Sequence, residues 1–188
     1  MFVLLPSFTH LLELKTAKLL GKGGFCNVYE VAELQLSSED AALAEAQEIE
    51  EFHTRKYMSM TCLRNHESRY AIKRLSEKSL ADESLYWKGI ADLSTEASFL
   101  AVIKHPNIIK ARAFALGEFC SDGFFIMMDR LYDTLETTIN KWRGEVQKYS
   151  SLRGRMQGGK EKTEELFIDR LQFAWDLSNA MAHLHAMK

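Results

Sequence analysis

Three glycines within four positions, in Leu20-Gly21-Lys22-Gly23-Gly24-Phe25-Cys26-Asn27-Val28-Tyr29, constrain this chain more than any other stretch. The residues from Leu14 to Leu19 before them, and Val28, Tyr29, Val31 and Leu34 after them, favour β-structure. Two such runs joined through glycine read as a hairpin whose turn is almost bare of side chains. A turn of that kind is either merely tight, or it lays backbone N–H groups against phosphate oxygens, since no Cβ holds the anion away. Both readings stand on these residues alone. Other phosphate motifs fail: a dinucleotide fingerprint needs its third Gly where Cys26 stands and a helix where a strand is expected. Gly154, Gly159 and Lys160 imitate a P-loop, but Glu161 occupies the place of its metal-binding hydroxyl and no strand precedes it.

With 188 residues the chain has room for one full domain or two small lobes with a real core. It carries 24 basic and 26 acidic residues, a net charge of −2, which gives no reason to expect nucleic acid or an anionic membrane as the main partner. The apolar start from Phe2 to Leu5 is cut by Pro6 and is too short for a signal peptide. No apolar run approaches the ~20 residues that a spanning helix needs. The expectation is a soluble, intracellular protein, cytoplasmic or nuclear. Cys26, Cys62 and Cys120 lie far apart with no C-x-x-C pair, as free thiols of a reducing compartment do, and no metal site is expected.

Beyond the hairpin, residues 37–66 read as an insertion: Ser37-Ser38-Glu39-Asp40 caps an Ala- and Glu-rich helix from Ala41 to Phe52. Its residues suit a solvated helix or a partner-docking element. In Arg69-Tyr70-Ala71-Ile72-Lys73-Arg74-Leu75, period-two alternation puts Tyr70 and Ile72 on one face and Ala71, Lys73 and Leu75 on the other. A lysine there either snorkels at an edge or is held inward for an anion. Residues 81–104 carry a helical stripe through Leu93, Ala97, Leu100 and Ile103, closed by His105-Pro106-Asn107. Ile108 to Leu116 and Gly123 to Asp129 make a second strand pair around the turn Ser121-Asp122-Gly123. Leu131 to Trp142 reads as a short helix and Gly144 to Thr163 as a flexible basic loop, suited to solvent or to an acidic partner. Glu164 to Met187 is an amphipathic helix, with Phe167, Leu171, Ala174, Leu177, Met181 and Leu184 at helical spacing.

In this order the motifs resemble the amino-terminal lobe of a protein kinase followed by the first helices of its carboxy-terminal lobe. Gly21, Gly23 and Val28 match G-x-G-x-x-G-x-V and Cys26 departs from it; Tyr70-Ala71-Ile72-Lys73 is similar to the V-A-I-K strand. Glu96 stands before His105-Pro106-Asn107-Ile108 as the family's helix Glu does before its H-P-N-I turn. Phe125 to Leu131 resembles the fifth strand, gatekeeper and hinge, and Met181-Ala182-His183-Leu184-His185 the end of the helix before the catalytic loop. The resemblance covers residues 14–188. It implies an α+β fold: a small lobe at 14–131 with a five-stranded antiparallel sheet and one major helix, after an N-terminal segment 1–13, then helices of an incomplete large lobe at 132–188.

The implied cofactor is ATP. Gly21, Lys22, Gly23 and Gly24 would cover its β- and γ-phosphates, and Lys73, kept extended by Glu96, would hold the α- and β-phosphates. Leu20, Val28 and Ala71 would sandwich the adenine, backbone groups at Asp129 and Leu131 would meet its polar edge, and Met128 would narrow the pocket behind it. Cys26 in place of the third Gly implies a stiffer loop and weaker nucleotide binding.

The family's H-R-D-x-x-x-x-N, D-F-G and A-P-E have no counterpart among the 188 residues. Asp122-Gly123-Phe124 has its residues in the wrong order, while Asp129-Arg130 and Asp169-Arg170 lack the preceding His and following Asn. No catalytic residue and no magnesium ligand is therefore expected in this chain; magnesium and a protein substrate, of the serine/threonine type, belong to a complete kinase. Three readings follow: the ATP-binding portion of a kinase, a non-catalytic nucleotide-binding or regulatory module, and an unrelated α+β fold. On the first, the Glu164 to Met187 stripe would lack its cover and would recruit a partner or self-associate.

Overall fold

Side-chain alternation along residues 70–75 sets the architecture, because both faces of this strand are apolar and both must be covered. The computed structural model describes residues 7–8, 14–35, 49–115, 121–151 and 158–187. They form two units, Met1–Lys104 with Ile109–Arg130, and His105–Ile108 with Leu131–Lys188.

In the first unit the chain runs β1 (Ser7–Phe8), β2 (Leu14–Lys22), β3 (Cys26–Leu34), α1 (Ile49–Met60), β4 (Leu63–Arg64), β5 (Glu67–Ser68), β6 (Tyr70–Leu75), α2 (Glu77–Ala81), α3 (Glu83–Val102), β7 (Ala111–Ala115) and β8 (Phe125–Asp129). One sheet has the order β1-β7-β8-β6-β3-β2. β2, β3, β6, β8 and β7 pair antiparallel throughout, which is the expected five-stranded sheet. A sixth strand was not expected: β1 adds to the edge in parallel, Ser7 opposite Phe114. β2 is irregular, slipping register between Lys15 and Thr16 and twice more before Gly21, so the hairpin bends as it approaches its turn.

Tyr70 and Ile72 point into one core with Val31, Phe125 and Met127, and Ala71 and Leu75 into another with Ile90, Leu93, Ala97 and Ile126. α3 covers the second face. Asp82 caps it by accepting the Leu85 N–H at 2.9 Å, and Gly89, Ile90, Leu93 and Ala97 form its buried stripe. Leu100 is only half-buried.

The first face is closed from within the insertion. Met58 and Cys62, at and just after the end of α1, join its core. The Ser59 hydroxyl donates to the Leu34 carbonyl at 2.6 Å, and the fully buried Ser68 hydroxyl donates to the Val31 carbonyl at 2.5 Å. β4 and β5 form a small hairpin whose turn residues, Asn65 and His66, both have positive φ, 52° and 65°. That is the backbone a two-residue hairpin turn requires, and Asn tolerates it well. The helix expected over 41–52 lies mostly outside the described residues; the described helix starts at Ile49 and runs on through the polar stretch to Met60.

The second unit is a helical hairpin, α4 (Leu135–Ser150) and α5 (Gly159–Ala186). Leu131 to Thr134 is not helical; Thr134 is the N-cap, accepting the Thr137 N–H at 3.1 Å. Contrary to the expected loop over 144–163, residues 144–150 continue α4 and residues 159–163 open α5. Gly144 has open space around it, and a glycine on an exposed helix costs only about 1 kcal/mol, which Glu145, Gln147 and Lys148 as helix formers offset. Trp142 meets Phe173 edge-on at 5.1 Å, with the Arg170 guanidinium 5.7 Å from the Trp142 ring. His105 stacks on His183 at 4.9 Å, within the same unit. The apolar stripe of α5 is exposed at Phe167, Leu171, Ala174, Leu177, Met181 and Leu184.

Candidate functional site

Lys73 lies between Ala71 and Leu75 on β6, so its side chain leaves the sheet on the face that α3 covers. There its ammonium pairs with the Glu96 carboxylate. Burial of Leu93 and Ala97 fixes the rotation of α3 and so brings Glu96, next to Ala97, toward the sheet. The Lys73 and Glu96 side chains are 28% and 36% exposed, so the pair sits at the mouth of the face and not sealed beneath it. An isolated pair this accessible contributes little to stability.

The apolar residues expected beside Lys73 share that face. Ala71 and Met128 are buried in its core, and Leu20 and Val28 pack against the same core half-buried. The ladder places Val28 opposite Lys73 and Ala71 opposite Met128. The glycine turn adjoins them: Gly21 pairs with Val28 and Lys22 with Asn27, and the Gly23 N–H donates to the Cys26 carbonyl at 2.7 Å. A Cβ on Gly23 would lie 3.0 Å from that carbonyl oxygen, so a side chain there would press on the turn's own backbone, which would have to give by a few tenths of an ångström. At Gly21 and Gly24 nothing lies within 4 Å of a Cβ position and φ is not positive. Neither crowding nor backbone conformation demands glycine at those two places.

Cys26 turns its side chain into the same core and is 6% exposed. Burial pushes its thiol above the ordinary range, opposed by the nearby Lys73 charge and reinforced by Glu96 and Asp92. The side chain at the position of the missing third glycine thus packs downward and does not stand in the turn.

On the opposite face of the sheet, that of Tyr70, which lies across from it in the ladder, the Asp129 carboxylate takes a two-pronged bond from Arg112, Nε and Nη2 both at 2.7 Å. This bond raises the Arg112 pKa further above its ordinary value. The Asp129 N–H donates to the Lys110 carbonyl at 3.3 Å, so that donor is already engaged. Leu131 belongs to the second unit.

Two residues that the sequence reading passed over belong to this face. Phe25, at the tip of the turn, packs half-buried against the core under α3, and Gly89 of α3 lies against it. A signal existed for the second: glycine within an otherwise helical pattern usually marks close packing. Among the described residues no three His, Cys, Asp or Glu side chains gather where a metal ion would sit. No helix among them is long and apolar enough to cross a membrane.

No family model matches the chain, and no curated protein is found similar to it.

Proposed function

We propose that the first unit is a protein-kinase-like nucleotide-binding lobe, with ATP as its ligand. The observation that carries the reading is the Lys73–Glu96 pair on the same sheet face as the glycine turn. An exposed ion pair adds little to the fold, but an extended, charged lysine beside a turn without side chains suits a polyphosphate. The unexplained glycines at 21 and 24 support it: the open space beside them is where phosphate oxygens would approach the backbone. Leu20, Val28, Ala71 and Met128 offer the apolar surface an adenine ring needs, continuous with the turn.

Binding is what these residues can do. Phosphoryl transfer also requires an acceptor for the substrate's proton and ligands for magnesium, and no H-R-D-x-x-x-x-N or D-F-G occurs in the 188 residues. Asp129 is committed to Arg112. The 188-residue polypeptide alone is therefore expected to bind an ATP analogue and to transfer no phosphate to a generic protein substrate. Lys73→Met tests the reading: the affinity for a non-hydrolysable ATP analogue should fall by roughly tenfold or more, as removal of a charged hydrogen-bond donor does, with circular dichroism unchanged. Equal binding by the two proteins, or none by wild type, would sink it.

A further inference from the structure

We infer that Phe25 and Gly89 form a latch that fastens the glycine turn to the helix carrying Glu96, making both of them positioning residues for the phosphate end of the proposed nucleotide site. This rests on that nucleotide reading and adds the way the turn is held in place. A turn made of glycine is loose unless its tip is tied, because glycine restricts its backbone least. Here the tip is tied at several atoms. The Phe25 carbonyl accepts the Ser76 N–H at 2.9 Å and the Ser79 hydroxyl at 2.7 Å, and Ser79 is itself fully buried. The Phe25 ring packs half-buried on the core beneath α3.

Gly89 makes that seat possible. A Cβ there would lie 2.9 Å from the Phe25 Cβ and 2.7 Å from Leu75 Cδ2. The leucine methyl can swing aside, but the Phe25 Cβ is bonded to the backbone of the turn and can move only by moving the turn. Gly89 and Glu96 are seven residues apart, two helical turns, and so lie on one face of α3. One end of that face holds the turn through Phe25 and the other holds Lys73 through Glu96. The turn and the lysine, the two groups that would share the phosphates, are thereby fixed to a single rigid element.

The apolar platform for the adenine lies on the sheet and does not depend on the latch. Displacing the turn should therefore weaken binding of the triphosphate and spare that of adenosine. Gly89→Ala, Phe25→Ala and the double variant, compared with wild type for a non-hydrolysable ATP analogue and for adenosine, test this. Each single substitution should raise the analogue's Kd by roughly tenfold, the loss of about one hydrogen bond to a charged oxygen, with adenosine affinity changed less than about twofold. The double variant should lose little more than either single one, since both release the same tip. Should Gly89→Ala fail to fold, Phe25→Ala decides by itself, because it alters a turn and not a helix interior. Equal losses for analogue and adenosine, or additive losses in the double variant, would overturn the latch. If wild type binds neither ligand, or Lys73→Met binds as well as wild type, the nucleotide reading has failed and the latch goes with it.

Discussion

The two units spend their apolar residues differently. In the first, Val31, Ile72, Leu93, Phe125, Ile126 and Met127 are shut off from water, with sheet faces covered by α3 on one side and the α1 segment on the other. In the second, α4 has no buried residue among those described, and α5 leaves Phe167, Ile168, Leu171, Trp175 and Leu177 each more than half exposed. Amphipathic spacing in a sequence says that a stripe suits burial; it does not say what buries it. The strands of the first unit carry their own cover in the chain between them, and among the described residues the long helix does not.

The most severe way to break this contrast is to hollow out the first unit. Phe125→Ala should cost about 3–5 kcal/mol, a large part of a domain's ~5–15 kcal/mol, whereas Phe167→Ala on α5 should change stability by less than ~0.5 kcal/mol. Denaturant midpoints of the two variants measure the difference, and comparable losses would mean that α5 is covered in solution.

Next in size is the behaviour of the helix. Each large side chain left in water forgoes roughly 1.5–3 kcal/mol of burial, so α5 should self-associate or exchange its amide hydrogens faster than β6 and β8 do. Replacing Leu171, Leu177 and Leu184 by Gln should raise solubility and abolish concentration-dependent sedimentation, with strand protection unchanged. A wild-type chain that sediments as a compact monomer with α5 as protected as the strands would refute this.

A smaller effect is written into pH. Burial, with a contribution from Glu33, pushes the Cys62 thiol up to about 11 from its ordinary 9.0. A raised folded-state pKa means that the unfolded chain loses its proton first. The stabilisation is complete below pH 9.0 and is lost as pH climbs toward about 11. The wild-type melting temperature should therefore decline more steeply over this interval than that of Cys62→Ala, and parallel curves would contradict the assignment. Least of all, Arg112→Lys, which trades a two-pronged bond for a single one at a half-exposed site, should cost no more than ~1 kcal/mol by chemical denaturation.

Those parts of the fold set by local chemistry could be read directly. The period-two pattern at 70–75 assigned Ala71 and Ile72 to opposite cores, because alternation acts on neighbouring residues alone, whereas the helix expected over 81–104 begins only at Glu83, after the cap Asp82, and stops at Val102, short of Pro106. Lys73 could be placed on its face, but whether it snorkels or pairs depends on Glu96, 23 residues away, and periodicity carries no such information. The resemblance supplied that pairing. The helical hairpin was misread where Gly144 and the basic residues imitated a loop, since isolated glycine is weak punctuation once helix formers surround it. Phe25 on Gly89, like Met58 and Cys62 beneath the sheet, is a tertiary contact: a glycine inside a helical pattern signals close packing but does not name the partner.

The seat of Ser68 on Val31 bears on how such a chain can be altered. Segments between strands are commonly regarded as ornaments that a fold can gain or shed at small entropic cost. Residues 49–68 are different, because they finish one side of the sheet and hold the Val31 and Leu34 carbonyls by hydroxyl groups. A trimmed chain joining Gln35 directly to Arg69 would keep every described strand of the main sheet and take Met58 and Cys62 away from Val31, Ile72, Phe125 and Met127, opening an apolar sheet face. A sheet face of that kind sticks to its own copies, so the shortened protein would leave solution as an aggregate. An engineer seeking a minimal version would have to rebuild the side chains of the three strands that carry these residues, and in a natural lineage the inserted segment and the sheet beneath it can change only together.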